Sequence, residues 1–320
     1  MTISRRALAA LLAAPAAAPS LARAQAWPAR TIRVVVPFPP GGTTDVLARL
    51  VTARMGERLG QNMVIENRGG AGGTVGSTVV AQSAPDGYTL LVSNVASQGV
   101  GPSLYRNLAY NAVTDFTHIG VIAEIPSVLI VNVDRPIRTL AEFIEAARRD
   151  PGGIRVASPG NGSSSHIKQV LLNQLAGIQT THVPYRGAGP ALNDVVGNQI
   201  EAMITTLQEA GRNPRVRLLA VTSAQRVARW PDVPTFRELG YDIVASTWFG
   251  LSAPARLPEA IADRLSAELL ATLAEPAIAQ RLDEIGSTTR PLTRAQFQAF
   301  VAEEVARWAP IVRASGAQAD

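Results

Sequence analysis

A run of β-branched residues that ends in a Pro/Gly-rich turn and passes into a helical pattern constrains the fold most. Ile32, Val34, Val35 and Val36 are apolar and are followed by Pro37-Phe38-Pro39-Pro40-Gly41-Gly42-Thr43-Thr44-Asp45. This order predicts a buried strand, a tight turn and a helix with Thr43 or Thr44 as N-cap and Asp45 in its first turn. Because the first N–H groups of a helix have no partner inside it, the turn is a candidate anion site. A purely structural turn is the alternative.

The first 24 residues have the order of a secretory signal peptide. Arg5 and Arg6 precede an Ala/Leu run, and Ala22-Arg23-Ala24 is a small-x-small cleavage signal. Cleavage before Gln25 and before Trp27 fit equally well, and ordinary and twin-arginine export both stay open. Prolines interrupt the apolar run well short of the roughly 20 residues that span a bilayer, which argues against an uncleaved anchor. The sequence therefore predicts export with this leader removed.

The composition of the remaining residues excludes several classes of function. The chain has no cysteine, so disulfides, thiolate catalysis and cysteine-ligated metals are excluded. Its three histidines are not at i, i+4 spacing, and its arginines form no stripe among aromatic residues, so we predict neither a metal site nor a nucleic-acid partner. A G-x-G-x-x-G frame from Gly70 meets Val75 at the third glycine, and no Gly-Lys-Ser/Thr occurs, so no nucleotide cofactor is predicted.

Strand patterns alternate with helix patterns along the chain, which predicts an α/β fold with parallel sheets covered by helices on both faces. In such sheets, ligands bind beyond the carboxyl ends of the strands. A second strand, Pro/Gly turn and hydroxyl-rich helix start runs from Ile154 to His166, about 120 residues after the first. The two turns predict two domains that face one cleft, each contributing a helix N-terminus. Two unrelated turns in separate sheets are the alternative.

Several side chains near these turns have both a binding and a structural interpretation. Asn94 follows a predicted strand and either offers its amide to a ligand or caps the turn. His166 lacks a G-x-S-x-G nucleophile motif nearby, so we interpret it as a first-turn helix residue near the ligand or beneath it. At a third strand-turn-helix junction, Tyr185 is a candidate pocket wall, and Arg186 either meets a carboxylate or faces solvent.

Seven segments, in order over nearly the whole mature chain, carry a family resemblance. They are Val36 to Asp45, Val64 to Gly76, Pro85 to Leu91, His182 to Gly187, Ala220 to Ser223, Pro231 to Thr235 and Trp248 to Leu251. Together they resemble the Bug proteins, the substrate-binding components of tripartite tricarboxylate-type transporters. The resemblance implies a periplasmic protein with the type II two-lobed binding protein fold, in which each lobe is a mainly parallel sheet flanked by helices.

The resemblance also implies lobe boundaries. Lobe one is expected at residues 27–125 plus 252–320 and lobe two at 126–251, with the cleft between them. The chain is expected to cross between lobes near Ile125 to Val128 and near Phe249 to Ala253.

Bug proteins typically hold a carboxylate with backbone N–H groups, hydroxyls and waters, at positions that correspond here to Gly41 to Asp45 and Ser158 to His166. Together with the side chains near the turns, the candidate ligand-binding residues are Phe38, Gly41, Gly42, Thr43, Thr44, Asp45, Asn94, Ser158, Gly160, Asn161, Ser163, Ser164, His166, Tyr185 and Thr205. Thr205 stands where relatives often have an aspartate. An acidic partner for a ligand amino group is therefore missing at this position, which favours a plain carboxylate over an amino acid.

The sequence therefore predicts an exported, monomeric solute-binding protein without cofactor or catalytic residue. It would close by hinge motion around a small organic carboxylate and deliver it to the membrane subunits of a tripartite tricarboxylate-type transporter. The two opposed helix starts would supply charge-assisted hydrogen bonds without a buried counter-ion. A secreted hydrolase with a serine near His166, and a sensor accessory that presents a metabolite to a membrane receptor, are the alternatives.

Overall fold

The computed structural model describes residues 27–287 and 291–314, so the predicted signal peptide lies outside the described residues. Within these ranges the strands are β1 (Ile32–Val36), β2 (Met63–Asn67), β3 (Thr89–Asn94), β4 (Phe116–Ile125), β5 (Ser127–Asn132), β6 (Arg155–Ser158), β7 (Thr181–Pro184), β8 (Ala202–Thr206), β9 (Val216–Val221) and β10 (Thr247–Pro254). The helices are α1 (Thr43–Leu59), α2 (Thr74–Ala81), α3 (Gly101–Leu104), α4 (Leu140–Arg149), α5 (Ser164–Ala176), α6 (Ala188–Val196), α7 (Leu207–Ala210), α8 (Glu259–Leu273), α9 (Pro276–Glu284) and α10 (Arg294–Ala314).

The strands form two sheets with the same topology. Their orders are β2-β1-β3-β10-β4 and β7-β6-β8-β5-β9. In each sheet four strands point one way and one is antiparallel to its neighbours, namely β10 in the first and β5 in the second. The antiparallel strand is in each case the one that has just entered from the other sheet. The predicted fold class, a two-lobed α/β protein with mainly parallel sheets, is confirmed.

The chain passes between the sheets at two places. β4 ends at Ile125 in the first sheet, and β5 begins at Ser127 in the second, within the predicted first crossing. The return lies between β9 and β10, and β10 is in the first sheet from Thr247, which pairs with Ile125. This is earlier than the predicted Phe249 to Ala253, because the ladder of β10 with β4 has already formed there. We propose lobe boundaries of 27–125 plus 247–314 for lobe one and 126–246 for lobe two.

The C-terminal helices complete lobe one. α8 and α10 pack on β4, and α10 also packs on α3. Phe297, Val301 and Trp308 of α10 are fully buried, as the spacing of apolar residues in this segment predicts. No helix within the described ranges is both long and apolar enough to cross a membrane.

Candidate functional site

The N-cap of helix α1 lies one residue before Thr43, the earlier of the two residues predicted for this position. Gly42 is the N-cap, with an extended backbone (φ −80°, ψ 171°), and Thr43 is already helical. The prediction of Thr43 or Thr44 as N-cap is therefore wrong. The physical reason is that Thr43, which is 3% exposed, directs its hydroxyl across the cleft instead of back onto its own helix.

A group of polar side chains from the second sheet meets Thr43. The hydroxyl of Thr43 lies 2.6 Å from Thr206 Oγ1 and donates to Glu209 Oε1 at 2.9 Å. The Thr43 N–H donates to the same carboxylate oxygen at 3.0 Å. Glu209 therefore takes one of the first backbone donors of α1, where the helix dipole favours a negative charge.

Helix α5 begins on the opposite side of the cleft with a conventional cap. Ser163 is the N-cap, and its Oγ accepts the N–H of His166 at 3.3 Å. Ser164 Oγ lies 3.4 Å from Thr247 Oγ1, which belongs to β10. Within the described part of the chain, the N–H groups of Ser164 and Ser165 have no acceptor, so they remain available to an anion.

An inner cavity lies between the two helix starts. Seven predicted site residues line it: Phe38, Gly42, Thr43, Thr44, Asn94, Ser163 and Ser164. Pro159 and Ser165 also line it and lie within the predicted range Ser158 to His166, whereas the sequence interpretation missed Pro39, Val95, Ala96, Gly187, Ala188, Thr206, Glu209, Thr247 and Phe249. Most of these residues follow the end of a strand or begin a helix next to a predicted site residue. This position in the sequence was the signal that could have identified them. Thr247 instead enters from the strand of the second crossing.

A larger outer cavity adjoins the inner one and shares Phe38, Pro39, Pro159 and Gly187 with it. Gly160, Asn161 and Tyr185 line this outer cavity, as does Arg186, whose side chain is exposed. Its walls touch across the cleft: the Tyr105 hydroxyl donates to the Asn161 carbonyl at 3.3 Å. These contacts and the Thr43 bonds describe a closed cleft.

Five predicted residues line neither cavity: Gly41, Asp45, Ser158, His166 and Thr205. Gly41 (φ 87°) gives the turn its left-handed residue, and its N–H donates to Asp45 Oδ2 at 3.1 Å.

Asp45 holds the shape of this turn from beneath. Its carboxylate also accepts hydrogen bonds from Arg49 and Asn67, each at 2.9 Å. Burial raises the pKa of Asp45, but the hydrogen bonds from Arg49, Asn67 and Gly41 outweigh it, so that the pKa lies below its ordinary value. In this structure Asp45 supports the turn and does not face the cavity.

Two histidines stack beneath the α5 turn. The rings of His166 and His182 are 3.8 Å apart with an interplanar angle of 7°, and His182 Nε2 lies 2.6 Å from Ser158 Oγ. His166 Nδ1 accepts the N–H of Gly162 at 3.3 Å. Burial lowers the pKa of both rings, and His166 further lowers that of His182, to about 3. Both rings are therefore neutral near pH 7, and His166 is packed beneath the site.

Asn94 caps a turn and also lines the inner cavity, so each of its two interpretations applies in part. Its Oδ1 accepts the N–H groups of Ala96 and Ser97, at 3.0 and 3.1 Å, and so caps the following π-helical turn (Ala96–Val100). It also lines the inner cavity, where its Nδ2 is the remaining donor.

The charge of the cavity differs from the sequence interpretation. Thr205 carries no charge, but its hydroxyl donates to Glu209, whose carboxylate lines the inner cavity. Position 205 itself has no acidic side chain, but Glu209 supplies a carboxylate to this part of the cavity. No group of three or more His, Cys, Asp or Glu residues in the described ranges has the arrangement of a metal site.

Comparisons with known proteins show which family the chain belongs to. BugT of Bordetella pertussis is 36% identical over 92% of this chain and 92% of its own length. A structure named MatC from Rhodopseudomonas palustris with bound malate has a TM-score of 0.85 and 37% identity, covering 89% of this chain and 99% of that one. The Rpa4515 structure from R. palustris with adipate has a TM-score of 0.87 and 33% identity, covering 91% and 98%. The profile described as "Tripartite tricarboxylate transporter family receptor" matches residues 47–317, and the chain belongs to this family of periplasmic binding proteins.

Proposed function

We propose that this protein is a periplasmic solute-binding protein that captures a small organic carboxylate for a tripartite tricarboxylate-type transporter. It would act as a monomer and release the ligand unchanged to the membrane subunits of that transporter. The observation that carries the proposal is the inner cavity closed between the starts of α1 and α5, into which hydroxyls and backbone donors of both helix starts are directed. The malate and adipate bound to two structural relatives support a carboxylate as the ligand.

The two ends of the inner cavity are chemically different, which suggests how a carboxylate would lie. At the α1 end, Glu209 already accepts the N–H and hydroxyl of Thr43 and adds a negative charge. At the α5 end, the N–H groups of Ser164 and Ser165 and the hydroxyl of Thr247 are donors without a competing anion. We propose that the ligand carboxylate binds at the α5 end and that a hydroxyl or amine of the ligand, where present, faces Glu209.

The alternatives make different predictions. A hydrolase would need a serine activated by His166, but the Nδ1 of this ring accepts a backbone N–H and its face is covered by His182. This arrangement of the His166 ring favours a protein that binds its ligand without hydrolysing it. A sensor accessory would use the same cavity, so it differs only in the membrane protein that recognises the closed form.

A thermal-shift panel of organic acids tests the proposal, because a ligand that binds only the folded form raises the melting temperature. We expect at least one mono-, di- or tricarboxylate to raise it and uncharged amides of the same acids to have no effect. Replacing both Thr43 and Ser164 by leucine should abolish the binding heat in calorimetry. Unchanged affinity of the double variant would overturn the site assignment, and turnover of esters that is lost in His166→Ala would favour the hydrolase.

A further inference from the structure

The only lysine of the chain lies directly behind the inner cavity. Lys168 is in the second turn of α5 and is 1% exposed. Its Nζ donates to Ser127 Oγ at 2.7 Å and to Thr247 Oγ1 at 2.8 Å. These two hydroxyls stand at the first residues of β5 and β10, where the chain has just crossed between the lobes.

Lys168 has an unusual electrostatic environment for a buried ammonium. Within the described ranges no carboxylate lies within 4.0 Å of its Nζ, although buried charges are ordinarily paired. The charges that act on it come from α10. Glu304 and Arg307 have opposite signs and are paired with each other at 3.0 Å. The positive charge of Lys168 is therefore left without a partner of its own.

Thr247 connects this charge to the ligand. Its Oγ1 accepts from Lys168 and lines the inner cavity, so its own proton can be donated to a ligand oxygen. We infer that Lys168 is the counter-charge of the bound carboxylate and acts on it through the hydroxyl of Thr247. This inference rests on the proposed carboxylate-binding function and replaces the sequence-based expectation that helix starts act without a buried counter-ion.

The distance between Nζ and the ligand oxygen determines how strongly a bound carboxylate shifts the pKa of Lys168. An ordinary O–H···O bond beyond Thr247 Oγ1 would bring a ligand oxygen within about 5.5 Å of Nζ. Burial, with a further contribution from Arg307 and against an opposing one from Glu304, lowers the pKa of Lys168 to about 7. A carboxylate at that distance would raise it to roughly 9, so Nζ takes a proton from the buffer as the ligand binds.

Because ligand binding changes the protonation of Lys168, the affinity for the ligand must depend on pH. Because the protonated amine favours the anion, affinity should fall about 25-fold between pH 7 and pH 9. The other titratable groups near Lys168 do not produce this slope. His166 and His182 are neutral throughout this range because burial lowers their pKa values.

The single lysine makes a direct measurement possible. Protein labelled with ¹³Cε-lysine gives one lysine resonance, whose pH titration reports the pKa of Lys168 with and without saturating malate or adipate. We expect a free pKa near 7 that rises by about two on binding. Calorimetric binding without a change in this pKa would overturn the inference and leave the proposed function intact. Failure of every organic acid tested to bind would overturn both.

Two variants distinguish the effect of the Lys168 charge on binding from an effect on folding. Lys168→Met should weaken binding by about 50-fold at pH 7 and remove the pH dependence, while folding is retained because an apolar residue replaces an unpaired buried charge. Thr247→Val should keep the lysine but weaken binding and reduce the rise of its pKa with ligand, because the hydroxyl that holds the ligand oxygen about 5.5 Å from Nζ is lost. Thr52→Val, a buried threonine of α1 outside both cavities, is the matched control and should behave like wild type. Wild-type pH dependence in Lys168→Met would contradict the inference.

Discussion

Gly162→Ala should selectively disfavour the closed cleft. Gly162 precedes α5 in lobe two and has a left-handed backbone, with φ 73°. A Cβ added here would lie 2.5 Å from Leu104 Cδ2 and 2.7 Å from the Tyr105 hydroxyl oxygen, both in lobe one. Leu104 is 2% exposed, so its side chain has little room to move away. The clash arises only when the lobes close.

The expected magnitude follows from the cost of overpacking. Extra methyl groups in well-packed contacts cost about 1–3 kcal/mol, which corresponds to roughly a 5- to 150-fold rise in Kd for a ligand held in the closed form. The left-handed backbone adds a separate cost of about 1 kcal/mol to folding, which applies to open and closed forms alike.

Gly177→Ala is the matched control for this prediction. Gly177 caps the other end of α5 with φ 60°, and an added Cβ would meet no heavy atom within 4 Å. It should lower stability as Gly162→Ala does and leave ligand affinity unchanged. Calorimetry with a ligand from the acid panel gives the affinities, and small-angle scattering gives the extent of closure. Wild-type affinity in Gly162→Ala, or equal weakening in both variants, would refute the reasoning.

Three further predictions concern groups around the cavity. Asp45→Ala should lower the free energy of unfolding by about 1–3 kcal/mol in urea titrations, because it leaves the Gly41 N–H without an acceptor and removes the hydrogen bonds from Arg49 and Asn67; equal stability would show that the turn does not depend on it. Because the folded-state pKa values of His166 and His182 lie below that of a free histidine, the stability they confer is complete above pH 6.5 and should be lost as pH falls from about 6.5 toward 3. Melting temperatures of wild type and of a double His→Gln variant should differ in slope over pH 6.5–4.5, and parallel curves would contradict this. Thr206→Val should weaken ligand binding in calorimetry by about 5- to 10-fold, because Thr43 loses a cross-lobe partner in the closed form, and an unchanged Kd would show that this bond does not stabilise closure.

Local patterns were sufficient for the elements that build each half of the site. The strand, Pro/Gly turn and helix start at residues 32–45 and at 154–166 are encoded by neighbours in sequence, so both helix starts were predictable. Their joining in one cleft followed from the repeat of this design. Ser163 and Ser164 were found in this way because helix termini have recognisable residue preferences.

Residues that act across the cleft had no local signal. Glu209 reaches Thr43 from 166 positions along the chain, and neither its sequence neighbours nor its type marks it as a cavity residue. Lys168 occurs in a helix of ordinary composition, and its burial depends on the hydroxyls of Ser127 and Thr247, which only the crossings bring together. The sequence predicted Asp45 as a site residue because of its position in the first turn of α1. Its hydrogen bonds instead hold its carboxylate against the turn at Gly41.

The central claim is that a small organic carboxylate binds in the inner cavity between the starts of α1 and α5. A crystal structure of the protein with the acid that gives the largest thermal shift tests it most directly. We predict a carboxylate oxygen within hydrogen-bond distance of the N–H groups of Ser164 or Ser165 and of the Thr247 hydroxyl. A ligand seated in the outer cavity, or held chiefly by the guanidinium of Arg186, would contradict it.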